Sequence, residues 1–189
     1  MILLVAILAQ EVEPVPAEPR GGEPCSEIFA TARAGAWRHG AFDAQTPAGR
    51  REIEPGLIGL GGLDLGGRFH QLLGWPSIDY ASGDPLTLAA AGAHVGWRQR
   101  LGESPLWAGL SGGLLAGRLE VDVSGFGDFD AAVGLQGRGE LSTLLGSTRL
   151  ALWGDVRRLS FAYDEPTLSG DDEAFGATFA FGAAMTLRF

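Results

Sequence analysis

The chain has 189 residues, enough for one domain of ordinary size, and carries a net charge of −9 from 14 basic and 23 acidic residues. That balance argues against nucleic acid as a partner. Glycine occupies 30 positions, about twice its usual share of roughly 7%; this disfavours helix interiors and suits sheets with bends and close strand approach.

Hydrophobic residues make up 46% of the chain, yet beyond the first ten residues no run approaches the ~20 apolar residues of a spanning helix. A membrane role would therefore have to use strands, since only helices and closed barrels satisfy the backbone in lipid. Every basic residue is arginine, whose planar fork suits two-point pairing with carboxylates in a narrow interior.

The chain opens on MILLVAILAQ (Met1–Gln10), an apolar run of signal-peptide length that lacks a basic leader. We expect an export signal at 1–10. Residues 11–27, EVEPVPAEPRGGEPCSE, are rich in proline and acid and read as an extended periplasmic linker. Cys25 is the single cysteine, so no intramolecular disulfide can form. Its GGEPCSE setting lacks the apolar and small residues that precede a lipidated bacterial cysteine.

Residues 28–189 are expected to form the domain. Ile28–Arg38 alternates Ile28, Ala30, Ala32, Ala34 and Ala36 with Phe29, Thr31, Arg33, Gly35 and Trp37, which reads as a first strand; so many alanines also suit a short helix. His39–Glu54 has the weakest pattern, and a second strand is expected there if the strand count is even. Leu57–Leu73 reads as one strand with Leu57, Leu63, Leu65 and Phe69 opposite Asp64, Arg68 and His70. Gly74–Pro85 reads as a polar, turn-rich loop.

Leu86–Leu101 follows, with His94, Arg98 and Arg100 on its inward face, and GESP (Gly102–Pro105) is a tight turn. Leu106–Val123 is expected to put Trp107, Leu115, Leu119 and Val121 outward and Arg118, Glu120 and Asp122 inward. Ser124–Asp128 is a glycine-rich turn. Phe129–Leu141 sets Phe129, Ala131, Val133, Leu135 and Leu141 against Asp130, Gln136, Arg138 and Glu140, and Leu145–Ser147 turns the chain back. Thr148–Tyr163 begins with Leu150, Leu152 and Val156 opposite Arg149, Trp153 and Asp155, then changes phase after Arg157 and Arg158. A β-bulge is expected there. Asp164–Glu173 is an acidic loop.

The last stretch, Ala174–Phe189, is the cleanest. Phe175, Ala177, Phe179, Phe181, Ala183, Met185, Leu187 and Phe189 alternate with small or polar residues without a break. A bilayer-crossing strand needs about 9–11 residues, and this one exceeds that. Together these segments predict an all-β fold: an antiparallel, up-and-down transmembrane β-barrel of eight strands.

The terminal TLRF, with apolar residues alternating back from Phe189, resembles the C-terminal assembly signal of bacterial outer-membrane β-barrel proteins. The alternation from Leu57 to Phe189 agrees with the small, about eight-stranded group, which includes anchors, adhesins and narrow channels. The resemblance implies residence in the outer membrane of a Gram-negative-type bacterium, contact with outer-membrane lipids, and recognition of the strand ending in Phe189 by the barrel-assembly machinery. Aromatic residues near the predicted membrane interfaces are Trp75, Trp97, Trp107 and Phe189, with Tyr80 and Tyr163 near the loop rim.

Candidate functional residues gather on the predicted inward face: Asp64, Arg68, His94, Arg98, Arg118, Glu120, Asp130, Arg138, Glu140 and Asp155. An eight-stranded barrel is just wide enough for its side chains to fill it, and buried charges must be paired. A charge-paired lumen is the expected arrangement, and a narrow conduit or small-ligand pocket is the alternative. No histidine lies in zinc-ligand spacing and no glycine run has the strand–loop–helix context of a phosphate loop, so no metal, cofactor or catalytic residue is assigned. His94 with inward carboxylates and Ser142 is the nearest approach to a nucleophile and base. The barrel group includes lipid A acyl-chain hydrolases, but these work on the lipid-facing side and His94 is expected to face inward. The functional expectation is a structural or surface-interaction barrel, with the outer loops as the surface open to a protein partner. A small-solute channel and a soluble, lipocalin-like periplasmic barrel are the alternatives.

Overall fold

The computed structural model describes residues 26–46, 49–122, 128–131, 134–163 and 174–189. The expected signal peptide, the linker as far as Cys25, most of the turn at 124–128 and the acidic loop at 164–173 lie outside the described residues.

The described chain forms strands β1 (Ser26–Arg38), β2 (Phe42–Thr46), β3 (Gly49–Ile53), β4 (Leu57–Phe69), β5 (Leu72–Gly83), β6 (Leu86–Arg100), β7 (Leu106–Val121), β8 (Asp128–Ala131), β9 (Gly134–Leu145), β10 (Thr148–Tyr163) and β11 (Ala174–Arg188). Strands β1, β4, β5, β6 and β7 pair in order, all antiparallel. The short β8 and the longer β9 share the next place, both between β7 and β10. Strand β10 pairs with β11, and β11 returns to β1 from Phe29↔Arg188 to Arg38↔Phe179. The result is a closed, up-and-down barrel of eight staves. Closure leaves no sheet edge, which is what hydrocarbon requires.

The closing seam is tight. A Cβ on Gly35 or on Gly182, which face each other across β1 and β11, would collide with the backbone of the opposite strand. Only glycine fits there.

Three expectations need correction. Gly74–Pro85 is not a loop: most of it is strand β5, and Leu57–Leu73 is broken by a two-residue turn at His70–Gln71, where His70 takes φ 57°. Ser77 and Asp79 suggested a loop because they are polar, but they alternate with Ile78 and Tyr80 and point inward, where a barrel takes polar side chains. His39–Glu54 supplies no stave; it carries the separate β2–β3 hairpin at the end opposite the termini. The eight staves therefore include β5 in place of the strand expected before Leu57. Finally, β10 contains no bulge. Its register runs unbroken from Thr148↔Leu187 to Phe161↔Ala174 on one side and from Thr148↔Leu145 to Arg158↔Leu135 on the other.

The two ends of the barrel differ. One carries the start of β1, the end of β11 and the short turns at 70–71, 101–105 and 146–147; the other carries the β2–β3 hairpin, the two-residue turn at 84–85 and the ends of β7 and β10. The first is called here the turn end and the second the loop end. Short turns are characteristic of the periplasmic side of such barrels.

The outer face is built for lipid. Val95, Leu110, Leu135, Leu152, Phe181 and Phe189 all point outward and are exposed, from 57% to 78%. In water a belt of this kind would be a large apolar patch of the sort soluble proteins avoid. Against acyl chains it costs nothing. The fold is therefore that of a transmembrane β-barrel.

Candidate functional site

Among the described residues, the lumen gathers a large set of ionisable side chains. Inward positions alternate along every stave, so residues distant in sequence meet across the bore. At mid-height three arginines and three aspartates from β1, β4, β5, β9 and β10 close a ring. Arg33 reaches Asp64 through two hydrogen bonds, 2.8 and 3.0 Å, and Asp79 at 2.5 Å. Arg157 binds Asp79 at 2.8 Å and Asp155 at 2.9 and 3.0 Å. Arg138 completes the circuit, at 3.3 Å from Asp64 and 3.7 Å from Asp155. Each charge touches two of opposite sign and the six sum to zero. Gln136 donates to Asp155 from the same layer. The two guanidinium groups of Arg33 and Arg138 each lie 5.6 Å from the ring centroid of Trp153, within cation–π range.

Glycine makes this layer possible. A Cβ on Gly62 would stand 2.5 Å from Asp79 and 2.7 Å from Arg33, so the bare backbone there is what lets the guanidinium and the carboxylate meet. On the neighbouring wall, Gly92 and Gly113 leave the space that the His94 ring occupies. That ring stacks on Trp75 at 5.4 Å, and its Nε2 shares a 2.8 Å hydrogen bond with Ser77 Oγ.

Towards the turn end lies a second, looser group. Arg98 pairs with Glu140 at 3.0 Å, while Glu27 pairs with Arg188 at 2.7 Å and with Arg68 at 3.7 Å. Arg149 is buried, donates to Ser142 Oγ at 3.2 Å and lies 4.9 Å over Trp107, on which Arg68 also stacks. Towards the loop end the lumen is apolar. Trp37, Ile58, Leu88, Leu115, Leu119 and Leu159 are all buried there in one contiguous cluster.

Of the residues expected inward, Asp64, Arg68, His94, Arg98, Arg138, Glu140 and Asp155 point into the lumen. Arg118 and Glu120 do not. They are exposed on the outer face near the loop end, while their neighbour Leu119 is buried inside. Asp130 sits opposite Arg118 on β8; its side chain lies outside the described ones. Among the expected interface aromatics, Trp97 and Phe189 face outward near the turn end, and Trp97 donates to Gln71 Oε1 at 2.8 Å. Trp75 and Trp107 belong to the lumen instead, one stacked on His94 and the other beneath two arginines. The Ser142 hydroxyl serves Arg149 and not His94, whose partner is Ser77.

Sequence reasoning missed four members. Arg33 was visible in the alternation of β1 but was not singled out. In the sequence Asp79 is masked by the polar, turn-rich look of Gly74–Pro85, Arg157 by the change of phase in β10, and Arg149 by standing in an alternation that marks only its face. Among the described residues no cluster of three or more His, Cys, Asp or Glu is placed to hold a metal ion.

No protein-family model matches the chain, and no curated protein matches it in sequence. Solved structures do match in shape. The crystal structure of Neisserial surface protein A superposes with a TM-score of 0.55 at 15% identity, covering 87% of this chain and 96% of that one. The outer membrane protein AlkL, solved by solid-state NMR in lipid bilayers, superposes with a TM-score of 0.50 at 12% identity, covering 94% and 96%. At these identities the likeness is one of fold: the chain is built as a small, eight-stranded barrel of the outer-membrane type.

Proposed function

We propose that this protein is a structural or surface-interaction barrel of the bacterial outer membrane with a lumen closed to solutes. The observation that carries this reading is the double closure of the bore. The Arg33–Asp64–Arg138–Asp155–Arg157–Asp79 circuit ties five staves together across the lumen, and the apolar layer lies directly above it on the loop side. A permeant ion would have to break buried pairs and then cross a dry layer, each opposed by several kcal/mol. The termini and short turns would face the periplasm, which leaves the loop end and its hairpin as the surface for a protein partner. Trp97 and Phe189 would anchor the turn end at the membrane interface, and Phe189 with its strand would be what the assembly machinery reads.

Planar-bilayer recording tests the closed lumen: the purified barrel is expected to give no steady single-channel current, and steady current would overturn the proposal in favour of a narrow channel. Membrane residence is tested separately by carbonate and urea washing, after which the protein should remain in the pellet. A soluble binding barrel would be released.

A further inference from the structure

We propose that the lumen holds a single small anion, chloride under ordinary conditions, between the mid-height ring and the turn-end group. A cavity of about 30 Å³ lies there, lined by Arg33, Arg98, Arg138, Ser111, Glu140 and Trp153 among others. About 10–15 Å³ suffices for one water-sized particle, so the space admits a monatomic ion with at most a water beside it. Phosphate and carboxylate compounds are too large.

The donors and charges of the lining select the sign. Arg33 Nη1, Arg138 Nη2 and Arg98 Nε are buried and have no hydrogen-bond partner, although Arg33 Nε and Nη2, Arg138 Nη1 and Arg98 Nη2 bind Asp64, Asp79 and Glu140 and Arg138 Nε lies 3.7 Å from Asp155. The side chains of Arg33 and Arg138 are only 2% and 6% exposed. Three unmet donors on three cations call for an acceptor that brings no hydrogens of its own. A water accepts two such bonds but must then place two protons, and of the lining carboxylate oxygens only Glu140 Oε1 is without a hydrogen bond, so one proton would be left over. The ring is neutral by itself, so the positive excess beside the cavity comes from the turn-end group, where Arg68, Arg98, Arg149 and Arg188 stand against Glu27 and Glu140, and a monovalent anion next to Arg98 offsets part of it. Buried charge left uncompensated is costly, so the ion would also stabilise the fold.

The test compares chloride, bromide and gluconate at equal ionic strength, so that general screening is held constant. The temperature at which the detergent-solubilised barrel loses its compact gel mobility is expected to rise saturably with chloride and with bromide, following linkage, and not with gluconate, which cannot enter. Crystals grown in bromide are expected to show an anomalous peak within hydrogen-bond reach of Arg33 and Arg138. Two variants give opposite signs. Gly109 lines the cavity, and a Cβ there meets Glu140 and Arg98 only at 3.6 and 3.8 Å. Gly109→Ala should therefore fold normally and weaken the halide effect several-fold by narrowing the space beside Arg98. Glu140→Gln removes one negative charge from the lining and should strengthen it. Equal stabilisation by chloride and gluconate, an empty site in the bromide crystal, or a Glu140→Gln variant with weakened halide response would each overturn the assignment.

Discussion

The two halves of the lumen are closed by opposite chemistries. At mid-height six charged side chains cross the bore, and each of them is bridged twice. A few ångströms towards the loop end the same staves present Trp37, Ile58, Leu88, Leu115, Leu119 and Leu159, with no charge among them. Strand β10 keeps one register against β11 through both halves; only the β8–β9 stave shifts, by one residue, against β7 and β10. What changes is the solvent outside. The middle of each stave faces hydrocarbon and must be apolar on its outer side, so its polarity is pushed inward. Beyond the lipid belt the outer face meets water and headgroups, so Arg118 and Glu120 can point outward while leucines fill the interior. The lower half resembles an inverted protein and the upper half an ordinary soluble core.

This contrast can be broken experimentally, and the largest effect is expected in the ring. Arg157→Ala leaves Asp79 with Arg33 alone and Asp155 with only Arg138 and Gln136 in a buried site, and removal of one partner from a buried pair costs about 3–5 kcal/mol. The heat-modifiability midpoint in detergent should fall accordingly, and a variant as stable as the parent would show that the ring contributes no cohesion. Leu119→Ala attacks the apolar half. A fully buried leucine in a packed core costs about 2–5 kcal/mol on truncation, and the lower end of that range is expected here because the loop-end mouth can relax. If the loss proved negligible, the upper half would not be a packed core. Neither variant alone should open a steady conductance in planar bilayers, because the other layer remains; conductance from Arg157→Ala would show that the apolar layer does not seal. The smallest effect is expected on the outside. Arg118→Ala changes an exposed position and should alter stability by no more than about 0.5 kcal/mol. A loss comparable to that of Arg157→Ala would mean that Arg118 acts within the lumen after all.

The same contrast explains which residues could be read from the sequence. In the lower half, an apolar residue in an alternating stretch marks the lipid face, and Asp64, Arg98, Arg138, Glu140 and Asp155 were all assigned inward on that basis. The rule inverts near the loop end. Applied to β7 it sent Arg118 and Glu120 inside and Leu119 outside, and applied to β10 it turned a change of solvent at Arg157–Arg158 into a supposed bulge. Trp75 and Trp107 failed for a related reason: an aromatic residue near a rim can girdle the membrane or stack on a cation inside, and alternation must be correct before the two can be told apart. Asp79 was lost because a polar stave interrupted by Pro76 looks like a loop until its neighbours β4 and β6 are seen to pair with it.

The amino-acid sequence by itself determined the architecture: strands long enough to cross a bilayer, a terminal strand with an unbroken period of two, and a chain too rich in glycine for helices. Period and length are local properties, so they survive without knowledge of partners. Only the tertiary structure decided which eight segments are staves, how Arg33, Asp79 and Arg157 join residues as far apart as Asp79 and Arg157, and why three arginines are left with unmet donors around a small cavity. Those facts depend on closure. The charge balance of a lumen is set by what faces across the bore, and nothing within a single strand specifies that.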